Sequence, residues 1–434
     1  MKKINYLKYD VVVVGGGTSG CACAYECAKL KLKTLLVEKN NFLGGLMTGG
    51  LVVPVMKSSV EDLNCKYYSK LVETAKKYNA QETYIDSNDG WFNPELMKIV
   101  LDDVLTAPDI KENLDILFET EVFDVLKNDD SVSKIILKSK ILSIPIEAKA
   151  FVDATGSGEF SYLCGANFQK DTTQKQQNTL RFILGNVDIE KFCDFLETLE
   201  DSWDITNTNR NDINSNKNIK KQLHFTTAST WDENKTWKLD KILKEGVQEG
   251  LLKEQDRSYF QIFSVAGAPN CVAFNCPRIN NYSSDRFLAS RELIEARKAI
   301  WRLLGFVKAK FKGFEEAIIV EIAPITGVRE ENRIVSKEIF KKEDIMTQKK
   351  AKNPILRANY GIDIHSNKKN NSKLEETPSY ELPLESLMSL DVKNLFAIGK
   401  VLGADFEAHS ALRVQKSAMS MGEGLAKYLR EIIL

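Results

Sequence analysis

Polarity along the chain alternates between short apolar runs and longer stretches with apolar residues at helical spacing, the pattern of a layered α/β protein. The first run, residues 9–14 (YDVVVV), is apolar at all but Asp10 and predicts a buried strand of a parallel sheet. Residues 19–30 then predict a helix and 34–37 a second buried strand. Helical spacing returns over 65–78 and again over 92–105, where Pro94 sits in the first turn. Residues 116–125 are strand-like, followed by a hairpin reaching Ile146 and a short apolar strand at 151–153. From about 169 to 315 the pattern changes: strand-like 179–186 and 260–274 bracket helices and a polar stretch, 206–221. That stretch is rich in asparagine and lysine and predicts a mobile loop. Residues 394–398 predict another buried strand and 413–432 a final helix; no internal repeat is apparent.

Between the first strand and first helix lies Gly15-Gly16-Gly17-Thr18-Ser19-Gly20, a G-x-G-x-x-G turn. Gly15 permits the tight turn, Gly17 lets backbone approach a pyrophosphate, and Gly20 lets the helix pack closely on the sheet. The helix start, at Thr18 and Ser19, turns its N–H groups toward the phosphates. Glu38, ending the second strand, is placed to accept ribose hydroxyls. Two glycine pairs follow within residues 40–50, an arrangement with no evident use in an NAD dehydrogenase. A flavin enzyme needs one, because the chain must run flat beside the cofactor, so FAD is the expected dinucleotide.

These blocks, with others along the chain, resemble the FAD-dependent oxidoreductase family of the glutathione-reductase-like two-domain flavoproteins, in the branch related to the fumarate reductase flavoproteins. The similarity is carried by residues 9–20, 41–52 (NFLGGLMTGGLV), 92–98 (FNPELMK) and 151–166 (FVDATGSGEFSYLCGA). It continues through 179–188 (TLRFILGNVD), 274–279 (FNCPRI), 325–334 (ITGVREENRI), 360–366 (YGIDIHS) and 394–426. The first and last blocks are specific to FAD binding; the middle ones mark the family but not its substrate. The resemblance implies an α/β fold with a Rossmann-like FAD-binding domain in three ββα layers and an inserted mixed α+β substrate domain. The expected FAD segments are 1–56, 91–168 and 316–434, and the expected cap segments 57–90 and 169–315. Cofactor contacts are expected from Gly15, Gly17, Thr18, Ser19, Gly20, Glu38, Lys39, Gly44, Gly45, Leu46, Met47, Thr48 and Val122. Ala154, Thr155 and Gly156 should lie beside the adenosine end, with Gly399, Ala411 and Leu412 contributing from the last segment. The final helix would begin near the flavin pyrimidine edge, its dipole favouring negative charge at N1 and O2.

Candidate catalytic residues are fewer. His409 lies in the segment expected to enter the site and titrates near neutrality, so it could exchange a proton while hydride moves to or from flavin N5. It could equally be a hydrogen-bonding residue with no proton-transfer role. Arg413 is a candidate for the flavin C2 carbonyl or a substrate carboxylate, Arg329 for anion recognition, and Glu407 for orienting neighbours. Relatives often carry histidine where this chain has Phe406, and arginine where it has Lys400. No diagnostic motif for a covalent flavin link is visible. The favoured function is an FAD oxidoreductase acting on a small molecule; the alternatives are a tRNA-modifying flavoprotein and a non-catalytic FAD-binding protein. Without a second G-x-G-x-x-G for a nicotinamide cofactor, the electron donor or acceptor stays open.

Composition narrows the partners. The 434 residues suit two domains, one inserted in the other. Sixty Lys and Arg balance sixty Asp and Glu, so no nucleic-acid or membrane partner is expected. Eight cysteines include no C-x-x-C pair; Cys21, Cys23 and Cys27 share the first helix as small apolar residues, and Cys271 and Cys276 flank a possible hairpin. Three scattered histidines make a zinc site, or any metal, unexpected. No leader or membrane-spanning run is evident, so a cytoplasmic monomer or homodimer is expected.

Overall fold

The strand Leu7–Val14 (β1) forms the centre of a parallel sheet because Val11, Val12, Val13 and Val14 are covered on both faces. A computed structural model describes residues 7–56, 58, 63–83, 90–170, 175–199, 224–227, 238–279, 285–365 and 373–434, and the polar stretch 206–221 lies outside these. After β1 comes the helix Thr18–Lys29 (α1) and then the strand Thr34–Val37 (β2), which returns parallel with Val11 opposite Thr34 and Val14 opposite Val37. Leu114–Leu117 adds outside β2, and Leu142–Asp153 lies on the other side of β1. That long strand forks the sheet. Its first residues pair antiparallel with Ser131–Ser139, which pairs in turn with Glu121–Asn128, while Phe151–Asp153 pair in parallel with Leu395–Ala397.

Alternation along β1 separates the layers. Val11 and Val13 pack with α1 and the final helix, Gln415–Ile433, whereas Val12 and Val14 pack with Val132, Ile135 and Leu137 of the antiparallel ribbon. This is the expected ββα arrangement. The cysteines of α1 are buried as small side chains, and the final helix comes so close that a Cβ on Gly422 would lie 2.3 Å from the Ser19 carbonyl.

A second core surrounds a five-stranded antiparallel sheet ordered His224–Thr227, Phe260–Val265, Ala268–Phe274, Phe182–Gly185 and Ile318–Ile322. Phe182, Phe192, Phe260, Phe274, Phe306, Phe311 and Phe314 fill it, with ring centroids as close as 4.5 Å. The two cores divide the chain differently from expectation. Ile318–Ile322 belongs to this second sheet, so the chain returns to the first layer after residue 322 rather than at 316. Helix Lys66–Lys77, expected in the cap, buries Tyr67, Tyr68, Leu71 and Val72 in the first core, with Tyr67 5.3 Å from Tyr25. Its apolar stripe finds α1, which the linear pattern could not specify.

Smaller differences are local. Residues 116–125 are two strands because Phe118–Thr120 turns the chain between them, and 179–186 likewise splits into Asn178–Thr179 and Phe182–Gly185. The last helical stretch breaks: Phe406–Leu412 forms a short helix, and the extended backbone of Val414 starts a new one at Gln415. Cys271 and Cys276 do not flank the hairpin, which turns near Ala266 and Gly267. Among the described residues no helix is long and apolar enough to cross a membrane.

Candidate active site

At the carboxyl end of the parallel sheet the loops enclose a cavity of about 780 Å³, a volume suited to a cofactor and small ligand. One end is built by the turn after β1. Gly15 holds φ at +107° and runs so near the Ala154 carbonyl that a Cβ would lie 2.5 Å from its oxygen. Gly17, by contrast, faces open space: a Cβ there would meet only the Ala154 oxygen, at 3.9 Å. Gly17 also caps α1 without a side-chain hydrogen bond, and the first turn carries no acid, so no side chain competes with an anion for the helix start. Thr18, Ser19, Gly45, Leu46, Met47 and Val122 complete this part of the wall.

Two carboxylates stiffen it. Glu38 accepts from the Gly16 amide at 2.7 Å and from the Asn40 amide at 2.8 Å, fixing the acid on the wall beside Lys39. Asp153, fully buried, accepts from the Thr155 amide and hydroxyl (2.9 and 2.7 Å) and from the Ser161 amide and hydroxyl (2.7 and 2.6 Å). Burial still raises the Asp153 pKa above the ordinary value despite these donors. They hold the Ala154-Thr155-Gly156 turn against the cavity. Gly399 and Lys400 enter from the last segment; the Lys400 ammonium donates to the Val328 carbonyl at 2.7 Å, and burial lowers its pKa to about 8.

The other end is walled by Val52, Thr179, Arg181, Arg329, Arg413 and Gln415. Arg329 donates to the Thr179 hydroxyl at 3.0 Å and to the Gln177 carbonyl; Arg413 donates to the Asp363 carbonyl (2.8 Å) and carboxylate (2.9 Å). Behind them Arg278 stacks on Tyr259, 3.7 Å from the ring centroid, and meets His365 Nδ1 at 3.0 Å. The start of the final helix has no side-chain cap and no acid in its first turn, and Gln415 and Ala418 bring it to the cavity.

Six expected contacts are not on this wall. Gly20 packs α1 on the turn, since a Cβ would lie 1.9 Å from the Gly15 oxygen. Gly44 donates to the Gly16 carbonyl at 2.8 Å and Thr48 to the Leu43 carbonyl, so both shape the loop. Ala411 and Leu412 are core residues. His409 is fully buried; its Nε2 donates to the Lys400 carbonyl at 3.0 Å, and burial, then Arg333 and Arg413, lower its pKa to about 3. It is neutral near pH 7 and does not reach the cavity, so the geometry does not support the proton-transfer role expected of it. Sequence reasoning passed over Arg181, Arg278, Asp363, His365 and Gln415. The available signal was one arginine inside each of several otherwise apolar blocks.

The profile of the family described as FAD dependent oxidoreductase matches residues 10–428. Among curated relatives, the glycerol 3-phosphate oxidase of Mycoplasma genitalium is 60% identical over 35 residues, 8% of this chain and 9% of that one. The tRNA uridine 5-carboxymethylaminomethyl modification enzyme of Finegoldia magna is 28% identical over 204 residues, 42% of this chain and 30% of that enzyme. These matches therefore span less than a third of the relatives' own lengths. A p-nitrophenol 4-monooxygenase from Pseudomonas putida shares the fold, with a TM-score of 0.50 and 10% identity over 98% of this chain and 81% of that one. The glycine turn fits an adenine dinucleotide on this chain's own geometry: open space at Gly17, an uncapped α1 and a fixed acid at Glu38.

Proposed function

Because the chain belongs to the FAD dependent oxidoreductase family, with FAD as its cofactor, we propose that it oxidises or reduces a small molecule held between the flavin and the arginine-bearing wall. When bound, FAD supplies the hydride acceptor or donor at N5. The α1 amides and Gly17 bind the pyrophosphate, Glu38 orients the ribose, and Ala154 to Gly156 cover the adenosine side. The amide end of the final helix favours negative charge on the pyrimidine edge of the ring. Arg329 and Arg413 orient the substrate, and His409 holds the Lys400 backbone in place. The observation that carries this reading is one continuous cavity joining the glycine turn to Arg181, Arg329 and Arg413.

A tRNA substrate, which likeness to the Finegoldia enzyme raises, calls for a cationic outer surface; here lysine and arginine balance the acids, and these arginines turn inward. Eight free thiols favour a reducing, cytoplasmic setting for a monomer or homodimer. The electron partner is left open. The test is an absorption spectrum of the purified protein before and after acid precipitation. A yellow protein that releases FAD supports the reading, and colour retained in the pellet revises it to a covalent flavin. A colourless protein that cannot be reconstituted with FAD overturns it.

A further inference from the structure

Arg181, Arg329 and Arg413 come from distant segments yet line one end of the cavity with Arg278 behind them, and among the described residues Asp363 is the carboxylate ion-paired to this cluster, through Arg413. His365 adds no charge there: it is buried against Arg278 and Asp363, and desolvation lowers its pKa well below the ordinary value. Four guanidinium groups thus gather in a desolvated place where, among the described residues, a single carboxylate is ion-paired, and to Arg413. Guanidinium does not lose its proton in proteins, so the excess charge persists and raises the free energy of the empty site. Burial is the first cause lowering the pKa of Arg181, to about 10, and also acts first on Arg329 and Arg278, with the neighbouring arginines adding to it.

Donor capacity is also left over. Arg278 Nε and Nη1 and Arg413 Nε are buried with no hydrogen-bond partner among the described residues. Among the described residues Arg181 makes only a long contact, 3.4 Å, to the Leu51 carbonyl, and it lines the cavity. A cluster serving the fold alone would spend these donors on paired acids. The FAD pyrophosphate does not account for them, since the glycine turn supplies its site at the other end of the cavity.

We propose that the substrate is a small organic dianion, a dicarboxylate or a phosphate monoester, gripped by Arg181, Arg329 and Arg413 with Arg278 behind them. Both chemistries present planar or tripodal oxygen sets that match the guanidinium fork. This inference rests on the oxidoreductase reading for the word substrate, but the anion site itself does not require it.

The experiment titrates the FAD-loaded protein with succinate, glycerol 3-phosphate and their uncharged counterparts succinamide and glycerol, following the flavin absorption bands and the Tm. One of the two anions should shift the bands and raise the Tm while the uncharged compounds do neither; which anion acts identifies the source. Arg181→Gln should weaken that response roughly 100-fold, the loss expected for one buried charge-assisted contact. It should keep its FAD and leave the ligand-free Tm no lower, because it relieves repulsion; a structural arginine would lower the Tm. Arg181→Lys should fall between. If neither anion acts, or succinamide or glycerol acts equally, or Arg181→Gln responds like the wild type, the proposal is overturned. Loss of FAD would instead count against the oxidoreductase reading, and the Tm response alone still decides the anion site.

Discussion

At one end of the cavity the anion-facing part of the wall is backbone: Gly15, Gly17 and Gly45, with the first amides of α1. At the other it is side chains from segments that lie far apart, Arg181, Arg329 and Arg413, with Arg278 and Asp363 behind. The first end needs space and uncapped amides, which are local properties of a turn. The second needs charge concentrated beyond what the protein itself neutralises, which only tertiary folding produces. A site built from backbone resists drift in side-chain identity, whereas a site built from converging charges sets what kind of ligand enters.

The sharpest way to break this contrast is at the glycines. Gly17→Asp should abolish FAD occupancy, because its carboxylate enters the space of the pyrophosphate. The ligand-free Tm should hold, since the added Cβ meets only one atom, at 3.9 Å. Gly15→Ala should fail for the opposite reason. Its Cβ collides with backbone at 2.5 Å and the +107° φ is strained, costing roughly 2–5 kcal/mol of stability. FAD content and thermal melts of the two variants separate these outcomes. Normal FAD in Gly17→Asp would remove the phosphate assignment from this turn.

At the other end the largest expected effect follows from removing the shared acid. Asp363→Asn leaves Arg413 without its carboxylate partner beside three further guanidinium groups, and should cost roughly 3–5 kcal/mol, the usual consequence of stranding a buried charge. Denaturant melts measure it, and a saturating dianion should restore part of the loss by replacing the missing charge. An unchanged midpoint would mean that solvent already screens the cluster.

The same contrast explains what could be read from the chain alone. The YDVVVV strand, the glycine turn and Glu38 are consecutive, so pattern and spacing locate them without knowledge of the fold. Arg181, Arg278 and Asp363 stand in blocks that also resemble relatives, but no spacing relates residue 181 to 278 or 363. Arg181 and Arg278 are brought together by the antiparallel pairings of Phe182–Gly185 with Ala268–Phe274 and of Thr179 with Arg278, and Asp363 arrives on a separate two-stranded ribbon. Of the two roles the sequence leaves open for His409, the fold favours the hydrogen-bonding one. Its segment does approach the cavity, yet the short helix Phe406–Leu412 turns that residue inward to the Lys400 carbonyl. Helix Lys66–Lys77 shows the limit for whole elements: an apolar stripe predicts that a helix is buried, not which core it joins.

Lys400 offers the finest test, because it is a side-chain charge at the end where backbone amides hold the dinucleotide. Its Cε would lie 3.1 Å from a Cβ on Gly156, close to the turn that receives the dinucleotide. Burial lowers its pKa to about 8, with Glu331 opposing the shift. A pyrophosphate nearby favours the ammonium, so the FAD-bound protein holds this proton to higher pH than the free protein. FAD affinity should therefore be level below pH 8 and fall above it, by roughly tenfold at pH 9, as the free protein loses the proton that binding requires. Lys400→Arg keeps its charge throughout and should bind FAD with a level profile. Lys400→Met should bind more weakly but also without the slope. Equilibrium dialysis of FAD between pH 7 and 9 reads all three. A level wild-type profile would remove Lys400 from the pyrophosphate site and leave the glycine turn and the α1 amides to hold it.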